Sequence, residues 1–263
     1  MPLALKDLVL KPGRDRAVRL YHPWVFSGAV QKLPKAETGD IIRIVDAEGK
    51  ALGMGFFDSK SQIVARIFHF GEAVEASHSF WKEKITRALA LRKELVATPE
   101  TNTYRLIHAE GDGMPGVIAD VYGGHTVVLQ LRTHGSERLA GTLVDILKEL
   151  GFERAYLKNK QYDGETSAGS IPDGFLFGEG DIAFNTLENS LQFEVNVATG
   201  QKTGFFIDQR VNRKLLGEMS AGKKVLNAFA YSGGFSVYAL ANGASEVHSV
   251  DISKDAIALA NKN

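Results

Sequence analysis

VLNAFAYSGGFSVYALANGASEVHSVDIS, residues 225–253, decides the fold of this chain. Val225, Leu226 and Phe229 suit a buried parallel strand, and the strand enters a turn holding two adjacent glycines, Gly233 and Gly234. Phe235 to Ala241 reads as a crossover helix, and Glu246 to Val250 as a second strand that delivers Asp251. A carboxylate at the carboxyl end of the second strand, about 20 residues past such a turn, is where a Rossmann-type sheet holds ribose hydroxyls. The stretch predicts half of a site for an adenosine-containing cofactor.

The turn itself narrows the cofactor. A dinucleotide site spaces three glycines so that a pyrophosphate meets a helix N-terminus, and Ala230-Tyr231-Ser232-Gly233-Gly234-Phe235 lacks that spacing. Paired glycines between bulky neighbours suit a ligand without phosphates, such as S-adenosylmethionine. A dinucleotide and a purely structural role stay open as alternatives. In the structural reading the glycines serve close βαβ packing and Asp251 caps the helix from Lys254 onward.

A second segment, GQKTGFFIDQRVNR at residues 200–213, lies just before the cofactor strand. Asp208, Arg210 and Arg213 alternate there with Phe205, Phe206, Ile207 and Val211, as at the start of an amphipathic helix. Read as an ordinary solvated helix, its Asp208 and Arg213 stabilise each other weakly.

Together with the glycine turn, this segment resembles the class I S-adenosylmethionine-dependent methyltransferases of the ribosomal large-subunit type. The resemblance is to the bacterial 23S rRNA cytosine-5 methyltransferases that carry an N-terminal PUA domain, and it spans essentially the whole chain. His22-Pro23-Trp24-Val25-Phe26-Ser27-Gly28 is similar to that family's opening, and Glu110-Gly111-Asp112-Gly113-Met114-Pro115-Gly116 to its central turn. GQKTGFF-DQR and F-YSGGFS are its most specific signatures. The resemblance implies an S-adenosylmethionine site to which Thr203, Phe206 and Arg210 contribute from the first signature. Asn227, Tyr231, Ser232, Gly233, Asp251 and Ile252 contribute from the second. It also implies ribosomal RNA as partner. A guanine-modifying branch shares both signatures, and the N-terminal barrel favours cytosine.

Composition agrees. The 263 residues are 44% hydrophobic, with no cysteine and a formal net charge of zero, which suffices for several ordinary cores and excludes disulfides and cysteine-ligated zinc. A reducing cytoplasm is the expected location. No apolar run approaches the length of a membrane span, and the N-terminus lacks a charged-then-apolar signal pattern. No metal site is expected, because His108, Glu110 and Asp112 lack further convergent ligands. The first 35 residues hold seven Lys and Arg against two Asp, a local charge of +5. With His22, Trp24 and Phe26 interleaved, Lys11, Arg14, Arg19, His22 and Trp24 are candidate RNA contacts. The alternative is a solvated face with Trp24 in the core.

The expected fold is mixed α/β in three parts. Residues 1–72 form a PUA-like RNA-binding barrel of short strands at Leu8 to Leu10, Ile41 to Val45, Ala51 to Phe57 and Ile63 to Phe68. Residues 73–180 form a central α+β domain. It has a helix over Phe80 to Ala97, strands at Arg105 to Ala109, Gly116 to Val121 and Thr126 to Leu131, a helix over Ser136 to Leu150 capped by Ser136, and a strand at Arg154 to Lys158. Gln161 to Pro172 reads as a polar loop. Residues 181–263 begin a Rossmann-like methyltransferase domain with a hairpin of Ile182 to Asn185 and Leu191 to Val197.

The chain ends at Asn261-Lys262-Asn263, and the resemblance places the Asp-Pro-Pro-type loop and the nucleophilic cysteine further on. Pyrimidine C5 is a poor nucleophile until a thiolate adds at C6. The expectation is therefore the N-terminal portion of a methyltransferase with no catalytic residue among these 263, inactive alone. Residues 225–263 are expected to be loosely ordered or shielded by another chain. A non-catalytic RNA-binding protein that kept the barrel is the alternative reading. The oligomeric state is left open, a homodimer included.

Overall fold

A computed structural model describes residues 5–159 and 171–263. β1 (Asp7–Leu10), α1 (Arg16–Arg19), β2 (Trp24–Phe26), β3 (Val30–Lys32), β4 (Ile41–Val45), β5 (Ala51–Phe57) and β6 (Ile63–Phe70) come first. The strands form a curled sheet in the order β2-β6-β5-β4-β1-β3. Its inner face buries Leu8, Leu10, Ile42, Ile44, Phe57 and Ile67. Side chains alternate across a strand, so β5 and β6 turn Met54, Phe56 and Phe68 outward into a second core. There Phe56 stacks on Trp81 at 6.0 Å. The barrel shares two strands with the next unit.

That unit opens with α2 (His78–Leu95), whose buried Trp81, Ile85, Ala88 and Leu89 follow the helical repeat. β7 (Tyr104–His108), β8 (Val117–Tyr122) and β9 (Thr126–Leu131) form an antiparallel meander. α3 (His134–Arg138) and α4 (Ala140–Glu149) then cross to β10 (Arg154–Leu157), parallel to β9, and β11 (Gly174–Phe177) closes the edge. The single helix expected from Ser136 is thus two. Its cap is Thr133, whose hydroxyl accepts the Ser136 N–H at 3.1 Å while Ser136 Oγ accepts the Thr133 N–H at 3.0 Å. Ser136 is the far half of a capping box. The polar loop read over 161–172 falls outside the described residues except for Ile171 and Pro172.

The hairpin of β12 (Ala183–Glu188) and β13 (Leu191–Asn196) follows, joined by Asn189 and Ser190 at φ +49° and +66°. α5 (Arg210–Glu218), β14 (Lys224–Ala228), α6 (Gly234–Ala241), β15 (Glu246–Val250) and α7 (Lys254–Lys262) complete the chain. β14 and β15 pair in parallel, as the βαβ reading requires. Residues 225–263 form regular elements as far as Lys262 and are not loosely ordered; the other expectation, cover by another chain, concerns the surface left exposed at Leu226, Val250 and Ile252. Asn263 ties the end of α7 back, its Oδ1 accepting from Glu194 N–H at 2.7 Å and its Nδ2 donating to Ser232 O at 2.8 Å. Phe193, Val195, Phe205 and Tyr238 pack on Tyr122, Val128 and Tyr156, seating this region on the second face of the central sheet.

Candidate functional site

β14 ends in a turn held far from relaxed backbone. Phe229 and Tyr231 sit at φ +60° and +47°, and Gly233 at +76°. For residues with a Cβ that region costs on the order of 1–3 kcal/mol each and persists only where surrounding bonds impose it. Here they do. Ala230 N–H donates to Val250 O at 3.0 Å, Gly233 N–H to Ala230 O at 2.9 Å, and Tyr231 N–H to the Asp251 carboxylate at 2.8 Å. The two glycines have different jobs. Gly233 supplies the left-handed backbone, and Gly234 leaves room for Arg213, whose Cδ would lie 3.0 Å from an added Cβ.

Asp251 also accepts the Ser253 N–H at 2.9 Å. This bond, and then the one from Tyr231, hold its carboxyl below the usual aspartate range, so it is ionised at neutral pH. The capping role considered for Asp251 belongs to Ser253, whose side chain accepts from Ala256 N–H at 3.2 Å.

The GQKTG loop closes over this turn through one hydroxyl. Tyr231 OH accepts the Gln201 N–H at 2.7 Å and donates to Gly204 O at 3.2 Å, while its ring meets Phe206 edge-on at 5.3 Å. Behind the loop, buried Lys158 donates to Gly200 O, and burial pushes its amine down to about 8. Buried Thr203 bonds Tyr122 OH at 2.8 Å and donates to Asp120 at 2.6 Å, fixing the loop to β8.

Between loop and turn lies a cleft of about 420 Å³. Phe206, Phe229 and Tyr231 give it aromatic walls; Ser232, Gly234 and Asp251 line its polar end. Phe229 is 93% exposed. Arg213 forms the floor, buried and bidentate to buried Glu188 at 2.8 and 2.7 Å, donating to Phe206 O at 3.0 Å and lying 4.4 Å over the Phe205 ring. The Asp208–Arg213 pair of the solvated-helix alternative does not form. Arg213 turns inward to a buried carboxylate while Asp208 pairs with Lys202 at 3.2 Å on the surface.

Of the residues named from sequence, Phe206, Tyr231, Ser232 and Asp251 line this cleft, and Gly233 shapes its turn. Thr203 and Asn227 stand behind it; the Asn227 amide donates to Ser236 Oγ at 2.8 Å beneath α6. Ile252 is fully exposed beyond Asp251, and Arg210 faces a different cleft. Sequence reasoning missed Gln201, Phe229 and Arg213 as lining. Gln201 and Phe229 lie within the two signatures, so the motifs themselves pointed to them, whereas the inward turn of Arg213 depends on Glu188, 25 residues away.

On the barrel, Lys11 and Arg14 are exposed, and Lys11 donates to Gly28 O at 3.1 Å. Arg19 is committed to Asp15 and Asp46, which offset its charge. His22 is exposed and bonds the Trp24 backbone at 3.2 Å. Trp24 is half-buried rather than in the core. Its indole donates to Glu110 at 2.8 Å, beneath the Arg66 guanidinium 5.3 Å from the ring. Phe26, 6.3 Å from the Trp24 ring, exposes 46% of its surface, and Tyr21, not named from sequence, exposes 73% against Phe70. Glu110 and Asp112 are engaged by Trp24 and Arg66 and by Arg92.

The family of PUA-like domains matches residues 8–70, and that of S-adenosylmethionine-dependent methyltransferases matches residues 153–263. Ribosomal RNA large subunit methyltransferase I of Alteromonas mediterranea is 36% identical over 256 residues, 97% of this chain and 64% of that protein. Its namesake from Shewanella denitrificans is 37% identical over 258 residues, covering 97% and 65%. The chain thus spans less than two thirds of the length of these relatives. A solved structure from Streptococcus mutans, ascribed to the S-adenosylmethionine-dependent methyltransferases, superposes with a TM-score of 0.82 at 24% identity, over 97% of this chain and 66% of that one. A methyltransferase structure solved with SAH gives 0.84 at 24% identity, over 97% and 65%. Among the described residues no helix is long and apolar enough to cross a membrane. The chain thus joins a PUA-like domain, matched over residues 8–70, to an S-adenosylmethionine-dependent methyltransferase domain, matched over residues 153–263.

Proposed function

We propose that the protein of which these residues form a part methylates ribosomal RNA of the large subunit, with S-adenosylmethionine as donor. The observation that carries this reading is the Tyr231 clasp, which joins the GQKTG loop and the YSGG turn into one cleft ending on an ionised aspartate. The donor set fits an adenosyl sulfonium. Asp251 spends one lone pair of each oxygen on backbone N–H groups and keeps others for ribose hydroxyls. Phe206 and Phe229 offer apolar surface to a purine, and the opening N–H groups of α6 lack intrahelical acceptors and suit a carboxylate. When bound, S-adenosylmethionine supplies an electrophilic methyl group. The chain's own residues orient the donor: Tyr231 and Asp251 fix the turn, and Arg213 and Glu188 hold the floor.

RNA contact falls to the barrel, where exposed Lys11 and Arg14 meet phosphates and His22, Tyr21 and Phe26 offer rings to bases. Cytosine C5 is the proposed target atom. Its chemistry requires a thiolate, which the 263 residues do not contain, so that step belongs to the whole protein. The cytoplasm is the proposed location. The test is transfer of a radiolabelled methyl group from the donor to large-subunit RNA by the whole protein, with the product nucleoside identified by mass spectrometry. Label in 5-methylcytidine supports the reading; absence of label in RNA overturns it.

A further inference from the structure

Residues 205–213 form a partition with a cleft on each side. Phe205, Phe206, Gln209 and Arg213 face the donor cleft, whereas Ile207, Asp208, Arg210 and Val211 face a second cleft of about 320 Å³ whose opposite wall is α2 and β7. That wall carries Arg92, Arg105 and His108. We propose that this second cleft binds phosphate groups of the RNA backbone and so registers the RNA beside the methyl donor, an inference that rests on the RNA methyltransferase reading above.

The guanidinium groups are held ready. Arg92 is bidentate to Asp112 at 2.8 and 2.7 Å and donates through Nε to Arg105 O at 3.1 Å. Arg105 is bidentate to buried Asp120 at 2.8 and 3.1 Å and points Nη1 at His108 Nδ1, 3.3 Å away. Each uses three of its five N–H donors in these bonds and keeps one on each terminal nitrogen for an anion. Arg210 is half-buried and, among the described residues, has neither hydrogen bond nor ion pair. It is the uncompensated positive charge of the cleft. Asp208, the anion on the rim, is answered by Lys202.

The cleft is also wired to the donor loop. The Asp120 carboxylate that holds Arg105 accepts the Thr203 hydroxyl of the GQKTG loop at 2.6 Å. A phosphate seated on Arg105 and Arg210 therefore lies against the segment whose other side lines the donor cleft, and backbone contacts of this kind set register without reading sequence.

The experiment measures binding of a fluorescein-labelled RNA hairpin by anisotropy over about 50–300 mM salt, for the wild type, Arg210→Gln and Arg210→Lys. Calorimetry with S-adenosylhomocysteine runs in parallel. Arg210 sits at the open start of α5, so its replacement leaves the fold intact, checked by circular dichroism. Arg210→Gln is expected to lower RNA affinity roughly tenfold and the log–log salt slope by about 0.7–0.9. Arg210→Lys should restore most of the slope, and S-adenosylhomocysteine affinity should stay at the wild-type value. Unchanged RNA affinity and slope in Arg210→Gln overturn the proposal. A parallel loss of S-adenosylhomocysteine affinity also overturns it, placing Arg210 in the donor cleft. If Arg210→Gln abolishes binding of inorganic phosphate but not of RNA, the cleft takes a free phosphate and the proposal falls. A wild type that binds S-adenosylhomocysteine but no RNA overturns this inference and leaves the donor reading standing; one that binds neither overturns both.

Discussion

β9 and β14 are both apolar strands in parallel pairs, yet every residue of β9 is buried while Leu226 on β14 is 69% exposed. The difference is cover. β9 lies inside a five-stranded sheet, with α2 and α4 on one face and the aromatic cluster of Tyr122, Phe193 and Phe205 on the other. Among the described residues β14 pairs only with β15, and α6 covers one face; Val250 and Ile252 stand open beside it. The central sheet is held by its core. The donor region is held by specific polar ties, and those ties surround the cleft.

The largest effect expected from this contrast lies at Arg213. Arg213→Met leaves the buried Glu188 carboxyl without its guanidinium partner and should destabilise the protein by about 3–5 kcal/mol in urea unfolding. Replacing Glu188 by Leu as well should recover most of that loss. A single-variant loss below about 1 kcal/mol would show that apolar packing holds this region as it holds β9.

Lys158 sharpens the same contrast through pH. Its amine titrates near 8 in the folded protein and near 10.4 when unfolded. Between these values the unfolded chain binds more protons, so stability must rise with pH across that window, on the order of 2 kcal/mol. Denaturation midpoints at about pH 7.5 and 10 should show the rise in the wild type and none in Lys158→Met. Equal profiles would remove the buried amine from the account.

A smaller change is expected at the clasp. Tyr231→Phe removes the hydroxyl's bonds to Gln201 and Gly204 and keeps the ring, so donor affinity should fall by about 1–2 kcal/mol with little change in overall stability. Equal affinity would mean that the GQKTG loop is positioned by Thr203 and Lys158 alone. The smallest effect belongs to the barrel surface. Arg19→Ala breaks a surface pair with Asp15 and one with buried Asp46, whose carboxylate keeps the Glu48 and Lys50 N–H groups, so the urea-unfolding midpoint should move least of these variants.

Much of the architecture was legible because it is local. The bounds of β4, β5 and β9 coincide with their alternating or continuous apolar runs, and the βαβ turn with Asp251 follows from about 25 contiguous residues. β2, β3 and β11 were not seen. The first two are three-residue strands stabilised by neighbours in the sheet, and β11 has none of its four residues buried. The site was legible in its parts and not in its assembly. Tyr231 reaches Gln201 across 30 residues and Arg213 reaches Glu188 across 25, and no periodicity encodes such pairs.

Calorimetric titration of S-adenosylhomocysteine into wild-type and Asp251→Ala protein, both shown folded by circular dichroism, tests the donor cleft most directly. The ionised carboxylate at the end of β15 should carry ribose recognition, so affinity should weaken by about 1–3 kcal/mol. An unchanged affinity in the folded variant would contradict the assignment of this cleft to the donor.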